Sequence, residues 1–325
     1  MKRKFLVTGG TGFLGASLVK KLLQEGHEVR ILDNESRGQR NRLVEVEGNF
    51  EMTTGDIRDP LVVEQAAKGC NSIVHMAFIN GTEFFYTKPE LVLEVGVKGM
   101  VNVLDACKAN NIKDLVLISS SEVYQEPPVI PTPEDVPLII PDVHNPRYSY
   151  GGGKIISELL ALNYGRKGFE RVLIIRPHNV FGPDMGWEHV VPQFILRAYD
   201  SIQKQPKGPV SFAIQGQGTE TRSFVYIDDF TDGLALAIDK GKHQEIYHVG
   251  TEEELPIASV ATRIVAAFGR EINLEPGPLT QGSAARRCPD ISKIKKLGYQ
   301  PKYNFNEALT PSIDWYTKHA NERPN

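Results

Sequence analysis

The chain has 325 residues, 41% of them apolar and 24% charged, with a formal net charge of −3. These are the proportions of a soluble globular protein of one large or two moderate domains, without the basic field that nucleic acid demands. The three cysteines, Cys70, Cys107 and Cys288, lie far apart without CxxC spacing, which excludes a disulfide framework and a zinc cluster and fits a reducing cytoplasm.

The N-terminus begins with basic residues, but its apolar run stops after Phe5 to Val7, well short of the ~7–15 residues of a signal peptide. No stretch approaches the ~18 apolar residues of a membrane span. Residues 5–7 (FLV) read as a first strand. Residues 12–25 read as a helix, because Leu14, Leu18 and Leu22 recur at steps of four. Further strands are predicted at 28–32 (EVRIL), 71–76 (NSIVHM) and 114–119 (DLVLIS), the last two separated by a long helical stretch at about 89–110. A helix near 150–166 leads into a strand at 171–175 (RVLII). Unbroken aliphatic strands alternating with helices imply an α/β protein, a Rossmann-type doubly wound parallel sheet. After Arg176, prolines and glycines become frequent and the elements short and mixed. Residues 222–239 and 245–250 read as one more helix and strand of the sheet layer. The rest implies a smaller α+β C-terminal substrate lobe. The expected division is a cofactor domain at 1–176 with about 225–250, and a substrate lobe at 177–224 and 251–325.

The segment VTGGTGFLG places Gly9, Gly12 and Gly15 after the first strand and into the first helix. Glycines there let the backbone approach a pyrophosphate, and the helix N-terminus offers N–H groups and partial positive charge. Asp33 ends the second strand, where a carboxylate accepts hydrogen bonds from the adenosine ribose and repels a 2′-phosphate. This favours NAD over NADP, with Arg37 as the nearby residue that pulls the other way. In GDIRD (55–59), Asp56 and Ile57 are placed to bracket the adenine.

Tyr150 and Lys154, in YSYGGGKIISE, stand at i and i+4 on one helical face. A tyrosine serves as acid or base near neutrality only if its pKa falls from about 10 towards 7, a shift worth roughly 4 kcal/mol. A lysine about 6 Å away supplies ~0.7 kcal/mol in bulk water and ~3 kcal/mol at an effective dielectric of 20. The pair therefore needs a partly desolvated cleft, with a positive nicotinamide supplying the remainder. Each of the three intervening glycines costs roughly 1 kcal/mol in a helix relative to alanine, which implies close approach of something flat, cofactor or substrate.

Together the glycine-rich start, the strand that ends in serines and YGGGK resemble the extended short-chain dehydrogenase/reductase family, and within it the NAD-dependent nucleotide-sugar epimerase/dehydratase branch. The likeness runs nearly full length, through RPHNVFGP (176–183), GQGTETRSFVYIDD (216–229) and RRCPDISKIKKLGYQP (286–301). It implies that Tyr150 is the catalytic base, that Lys154 orients the ribose and depresses the tyrosine pKa, and that Ser120 hydrogen-bonds the sugar hydroxyl being oxidised. It also implies cofactor contacts at Phe13, Leu14, Asn34, Ala77 and Pro177. Asn179, Gln193, Arg222 and one of Arg286 or Arg287 are implied to hold the nucleotide sugar, the arginines suiting phosphate oxygens. Members of this branch are expected to be homodimers packed through the helices near 89–110 and 150–166.

Two departures stand out. Gly153 replaces the serine usual before the lysine, and Gly96 replaces the asparagine usual in the long helix. His178 and His189 are not family hallmarks, and each is a candidate to line the sugar pocket. Ser119 closes the predicted strand at 114–119, and Ser120, Ser121 and Glu122 follow it directly. If the strand continued, Ser120 and Glu122 would share a side and Ser121 would point away. A carboxylate placed beside a 4-keto sugar can remove its acidified C5 proton, and the segment SSEVY resembles those of dehydratases and decarboxylases. Ser121 stands where dTDP-glucose dehydratases carry an aspartate acid. Dehydration through Glu122 is the leading expectation, with 4-epimerisation and uronate decarboxylation as alternatives. A net alcohol dehydrogenase and a non-catalytic NAD-binding regulator are further readings.

Overall fold

In the computed structural model, which describes residues 2–278 and 284–324, the aliphatic runs become the central layer. Seven strands, β1 (Lys4–Thr8), β2 (Glu28–Asp33), β3 (Glu51–Thr54), β4 (Ser72–His75), β5 (Asp114–Ile118), β6 (Arg171–Pro177) and β7 (Glu245–Val249), form one sheet in the order β7-β6-β5-β4-β1-β2-β3. Every pairing is parallel. Their lack of polar alternation has a direct cause. Phe5, Val7, Val74, Val116 and Ile175 belong to one apolar cluster, and their neighbours Leu6, Ile73, Leu115 and Ile174 belong to a second on the opposite face. With both faces covered, the middle positions of these strands are apolar on both sides.

Five helices provide most of that cover: α1 (Phe13–Gln24), α2 (Pro60–Ala67), α3 (Gly99–Ala109), α4 (Ser149–Gly165) and α5 (Ile227–Lys240). α1 and α5 lie on the first face, and α2, α3 and α4 on the second. The stretch expected as one helix at about 89–110 is three abutting pieces: Pro89–Leu93, a π-helical turn at Glu94–Lys98, and α3. The break falls where Gly96 stands. Similarly, 222–226 is not helical. It forms the short strands Thr221–Ser223 and Val225–Tyr226 ahead of α5.

The C-terminal lobe is made of small pairings. Val210–Ile214 runs parallel to Ile272–Pro276, and Thr221–Ser223 lies between Glu254–Pro256 and Arg286–Arg287. Its apolar residues Phe194, Phe212, Val260, Ile264 and Phe305 belong to the same cluster as the first face of the sheet. The lobe therefore shares a core with the sheet.

The chain leaves β1 for β2 and β3 on one side and returns to β4 on the other. This reversal opens a crevice at the C-terminal ends of β1 and β4, the place where open parallel sheets bind ligands. Beneath it the Thr8 hydroxyl bonds His75 Nδ1 at 2.8 Å, joining the two strands.

Candidate active site

A cleft of about 760 Å³ occupies that crevice. At its glycine-rich end the lining is largely backbone. Gly9 has φ of +73°, and a Cβ there would sit 2.8 Å from the Ala77 nitrogen; at Gly15 a Cβ would sit 2.1 Å from the Gly9 carbonyl oxygen. Only hydrogen fits at either position. Gly12 caps α1 without a side chain, so the first N–H groups of the helix face the cleft with their partial charge uncompensated. Phe13, Leu14, Asn34, Asp56, Ile57, Ala77 and Pro177 all line the same space. Asp33 is buried, its Oδ2 accepting from the Thr11 N–H at 3.0 Å and its Oδ1 from the Glu35 N–H at 2.8 Å. Asp56 accepts two bonds from the Arg58 side chain, whose guanidinium holds the carboxyl below its usual range against the effect of burial. A cradle that no Cβ can enter, ending in a buried carboxylate, fits a dinucleotide.

The other end is built from side chains. β5 stops at Ile118, and Ser121–Val123 is a 3₁₀ turn capped by Ser120, whose Oγ accepts the Glu122 N–H at 3.1 Å. This corrects the expectation of strand alternation. Ser119, Ser120, Ser121 and Glu122 all line the cleft because a turn, unlike a strand, presents consecutive residues to one side. Below the turn lies a buried polar floor. Arg176 pairs with Glu158 at 2.6 Å, Glu158 accepts from Ser119 Oγ at 2.5 Å, and Tyr124 bonds both Arg176 and His248.

Tyr150 and Lys154 share a face of α4, with the ammonium 5.8 Å from the phenol ring centroid. Lys154 Nζ donates to the Ile118 carbonyl at 2.7 Å. Burial pulls Lys154 down to about 7, with Glu158 opposing. Burial pushes the Tyr150 phenol up, the Ser120 hydroxyl lowers it and Glu122 raises it. The groups of the chain alone therefore leave Tyr150 protonated, and a cationic ring beside it would stabilise the phenolate.

The glycines of α4 give way to groups of the protein itself, which corrects the expectation of a flat ligand there. A Cβ at Gly151 would meet Gln125 Nε2 at 2.5 Å and the Glu122 carbonyl at 2.9 Å, and a Cβ at Gly153 would meet the Phe78 ring at 3.1 Å. The turn bearing Glu122 and an aromatic ring press against the helix at its catalytic end.

The expected substrate residues separate. Glu122 and Arg287 form an ion pair at 2.5 Å. Burial raises the Glu122 carboxyl, but Arg287 outweighs it, helped by Arg147 and Arg222, so the group lies below its usual range. Arg222 is itself pulled down to about 10 by burial, with Arg287 adding. Asn179 lines the cleft and donates to the Ser223 carbonyl at 2.9 Å. Arg286 does not join this group. It is exposed and paired with Glu254 at 2.6 Å, because neighbouring residues of a strand point opposite ways. Gln193 is also outside the cleft lining, exposed on the helix Val190–Lys204 with its amide on the Glu188 carbonyl at 3.3 Å. His189 lines the cleft, whereas His178 is buried behind it against the His248 ring.

Sequence reasoning missed Arg147. It sits in the 3₁₀ turn Pro146–Tyr148 leading into α4 and lines the cleft, and its Nε is buried without a partner among the described residues. Its spacing, three residues before Tyr150 on a helical path, was the available signal. It also missed the aromatic wall of Phe78, Phe84 and Phe85, which nothing in the local pattern marks.

Residues 5–250 match the model of the NAD dependent epimerase/dehydratase family. The UDP-glucuronic acid decarboxylase 1 of Danio rerio is 30% identical over 329 residues, covering 100% of this chain and 75% of that protein. A dTDP-glucose 4,6-dehydratase from Streptomyces venezuelae, solved with NAD and TYD bound, superposes with a TM-score of 0.86 at 28% identity over 98% of both chains. The UDP-glucose 4-epimerase of Thermus thermophilus, solved with NAD, gives 0.83 at 27% identity over 97% of this chain and 99% of that one. With its glycine cradle, its Tyr150–Lys154 pair and the family match across most of its length, the chain belongs to the NAD-dependent epimerase/dehydratase family.

Proposed function

We propose that the protein is a decarboxylase of a nucleoside-diphosphate-linked uronic acid, with UDP-glucuronate as the first substrate to test. The observation that carries this reading is the Glu122–Arg287 ion pair, with Arg147 and Arg222 adding positive charge around it. A diphosphate and a uronate carboxylate on one ligand call for such a cluster of guanidinium groups. Dehydration needs a free base at C5 and an acid at C6. Here Glu122, the carboxylate beside Ser120 in the cleft lining, is weakened as a base by its arginine, and Ser121 stands in the acid position.

Bound NAD supplies a reversible two-electron oxidation at C4. Tyr150 takes the C4 hydroxyl proton, Ser120 holds the oxygen, and Lys154 keeps positive charge beside the phenolate. With a ketone at C4, the C5 substituent is a β-keto carboxylate. Its C–C bond breaks, carbon dioxide leaves, and the electron pair moves into the C4 carbonyl, where Ser120 and Tyr150 stabilise the oxyanion. A proton from solvent adds at C5, and Tyr150 returns its proton to the C4 oxygen as the ketone is reduced. The nucleotide end is assigned to Gly9, Gly12, Phe13, Leu14, Gly15, Asp33, Asn34, Asp56, Ile57, Ala77 and Pro177, and phosphate and carboxylate recognition to Asn179, Arg147, Arg222 and Arg287. This division assigns 1–176 with about 225–250 to cofactor and 177–224 with 251–325 to substrate.

Glu122 beside Ser120 and the likeness to a dTDP-glucose dehydratase support dehydration as the second reading. Incubation with UDP-glucuronate, UDP-glucose, dTDP-glucose and GDP-mannose in heavy water separates the two. Loss of carbon dioxide from the uronate supports decarboxylation, whereas loss of water from a neutral hexose with deuterium at C5 replaces it.

A homodimer is part of the proposal. Leu93, Ile156 and Leu159, on Pro89–Leu93 and α4, are large apolar residues left 37%, 38% and 56% exposed, an apolar surface that a helical interface would cover. Light scattering that returns the monomer mass at micromolar concentration removes it. No helix among the described residues is long and apolar enough to cross a membrane. The three free cysteines are all buried, which supports a cytoplasmic setting.

A further inference from the structure

The two departures at Gly96 and Gly153 meet at one side chain. A Cβ at Gly96 would lie 2.3 Å from Phe78 Cζ and 2.5 Å from its Cε2, and a Cβ at Gly153 would lie 3.1 Å from the same Cζ. The two glycines come from different elements, the π-helical turn and α4. Ser157 joins them, with Oγ 2.8 Å from the Gly153 carbonyl and 3.4 Å from that of Gly96. Together they make a slot with no side chain on either wall, and the Phe78 ring fills it.

The ring also touches both members of the catalytic pair. Lys154 Nζ lies 4.0 Å from the Phe78 centroid, and the Tyr150 ring stands edge-on to it at 5.1 Å and 86°. Phe85 stacks on Tyr150 at 5.1 Å and 22°. Lys154 is 3% exposed, and one of its three donors is used on Ile118. A buried ammonium with so little solvent needs other negative potential, and an aromatic face provides it.

We propose that Phe78 is a positioning residue for the Tyr150–Lys154 pair, holding the ammonium by a cation–π contact, and that Gly96 and Gly153 are glycine in this chain because the ring occupies the space of the usual asparagine and serine side chains. Three residues distant in sequence thus form one exchange, in which an aromatic face stands where two polar side chains usually do. The inference rests on the roles given above to Tyr150 and Lys154, but not on the identity of the sugar.

The other ionisable groups facing the ammonium are few. His75 lies across the sheet end and is kept neutral by burial. Glu158, one turn along α4, is paired with Arg176 from β6. Tyr150 is one turn back. Of these, Tyr150 is the one in ring contact with Phe78. The ionisation of Lys154 is therefore followed directly, by the NMR shift of its Cε in protein grown on isotope-labelled lysine, assigned by its loss in Lys154→Arg. Phe78→Leu keeps most of the volume and removes the ring. The expected result is a Lys154 midpoint lowered by about one pH unit, the size of a desolvated cation–π contact. An unchanged or raised midpoint overturns the positioning role.

The slot is tested by thermal unfolding. Gly96→Ala should lower the midpoint strongly in the Phe78 protein and much less in the Phe78→Ala background. Equal losses in both overturn the exchange. If Gly96→Ala does not fold, Gly153→Ala takes its place in the same cycle. Neither measurement needs turnover. Failure of the catalytic reading shows separately, as undiminished turnover of sugar nucleotides by Tyr150→Phe.

Discussion

The two ends of the cleft are made differently. The nucleotide end is a turn and a helix terminus, with glycines that clear the way and one buried carboxylate. The end proposed for the sugar is lined by polar and aromatic side chains from four segments, Phe78, Ser120 with Glu122, Arg147 with Tyr150, and Asn179, while Arg287 pairs with Glu122 and Arg222 acts on its charge from behind that lining. Backbone donors are fixed by the fold itself and tolerate change around them. Side-chain clusters depend on every neighbour that orients them. The nucleotide end can therefore stay constant across the family while the sugar end changes the reaction.

The sharpest test of that contrast is Tyr150→Phe. Turnover should fall by about 10²–10⁴-fold, the usual worth of a positioned acid or base, while NAD affinity by fluorescence titration stays near wild type. Parallel loss of both would show that the two ends are not separable.

Next is the floor beneath the serine turn. Glu158→Gln leaves Arg176, 2% exposed, without its carboxylate, and breaking such a buried pair costs about 3–5 kcal/mol. Urea unfolding should show a loss of that order. A neutral result would mean that Tyr124 and Ser119 suffice to hold Arg176.

At the nucleotide end, Asp33 is the one carboxylate with a large expected effect. Asp33→Ala should weaken NAD about 10–100-fold, as for a lost charge-assisted hydrogen bond, and narrow the gap to NADP. Competitive titration of both cofactors measures this. An unchanged gap would show that Asp33 only secures Thr11 and Glu35.

The smallest effect tests the seam between the ends. Burial pulls His75 and His248 to about 3, and holds His178 well below the ordinary histidine range. The unfolded chain binds protons at these residues below about 6.5 and the native chain does not. Their contribution to stability is thus complete above that pH and is lost as pH falls towards 3. Unfolding free energy should drop by up to about 1.4 kcal/mol per pH unit for each histidine. His75→Gln should reduce that slope by one proton, and an unchanged slope would assign the acid sensitivity elsewhere.

The parallel sheet, the glycine turn, Asp33 and the Tyr150–Lys154 pair were all legible in the sequence. Each depends on short spacings: two-residue alternation silenced by burial on both faces, a strand followed at once by a helix, or one helical turn. The resemblance added Ser120, one of Arg286 or Arg287, and the reaction class. What the sequence left open is set by long-range packing. Glu122 and Arg287 are 165 residues apart, and their pairing exists because the C-terminal lobe closes over the end of β5. The strand that seemed to run on through the serines stops because Ser120 caps a turn. Arg286 and Arg287 look alike in the chain, but strand alternation sends one to Glu254 and the other to Glu122. The glycines of α4 announced a close approach but not its partner, because a missing side chain carries no record of the ring that fills its place. Local spacing thus determined the fold and the cofactor end, whereas the chemistry at the sugar end was decided by which distant side chains the tertiary structure brings within a few ångströms.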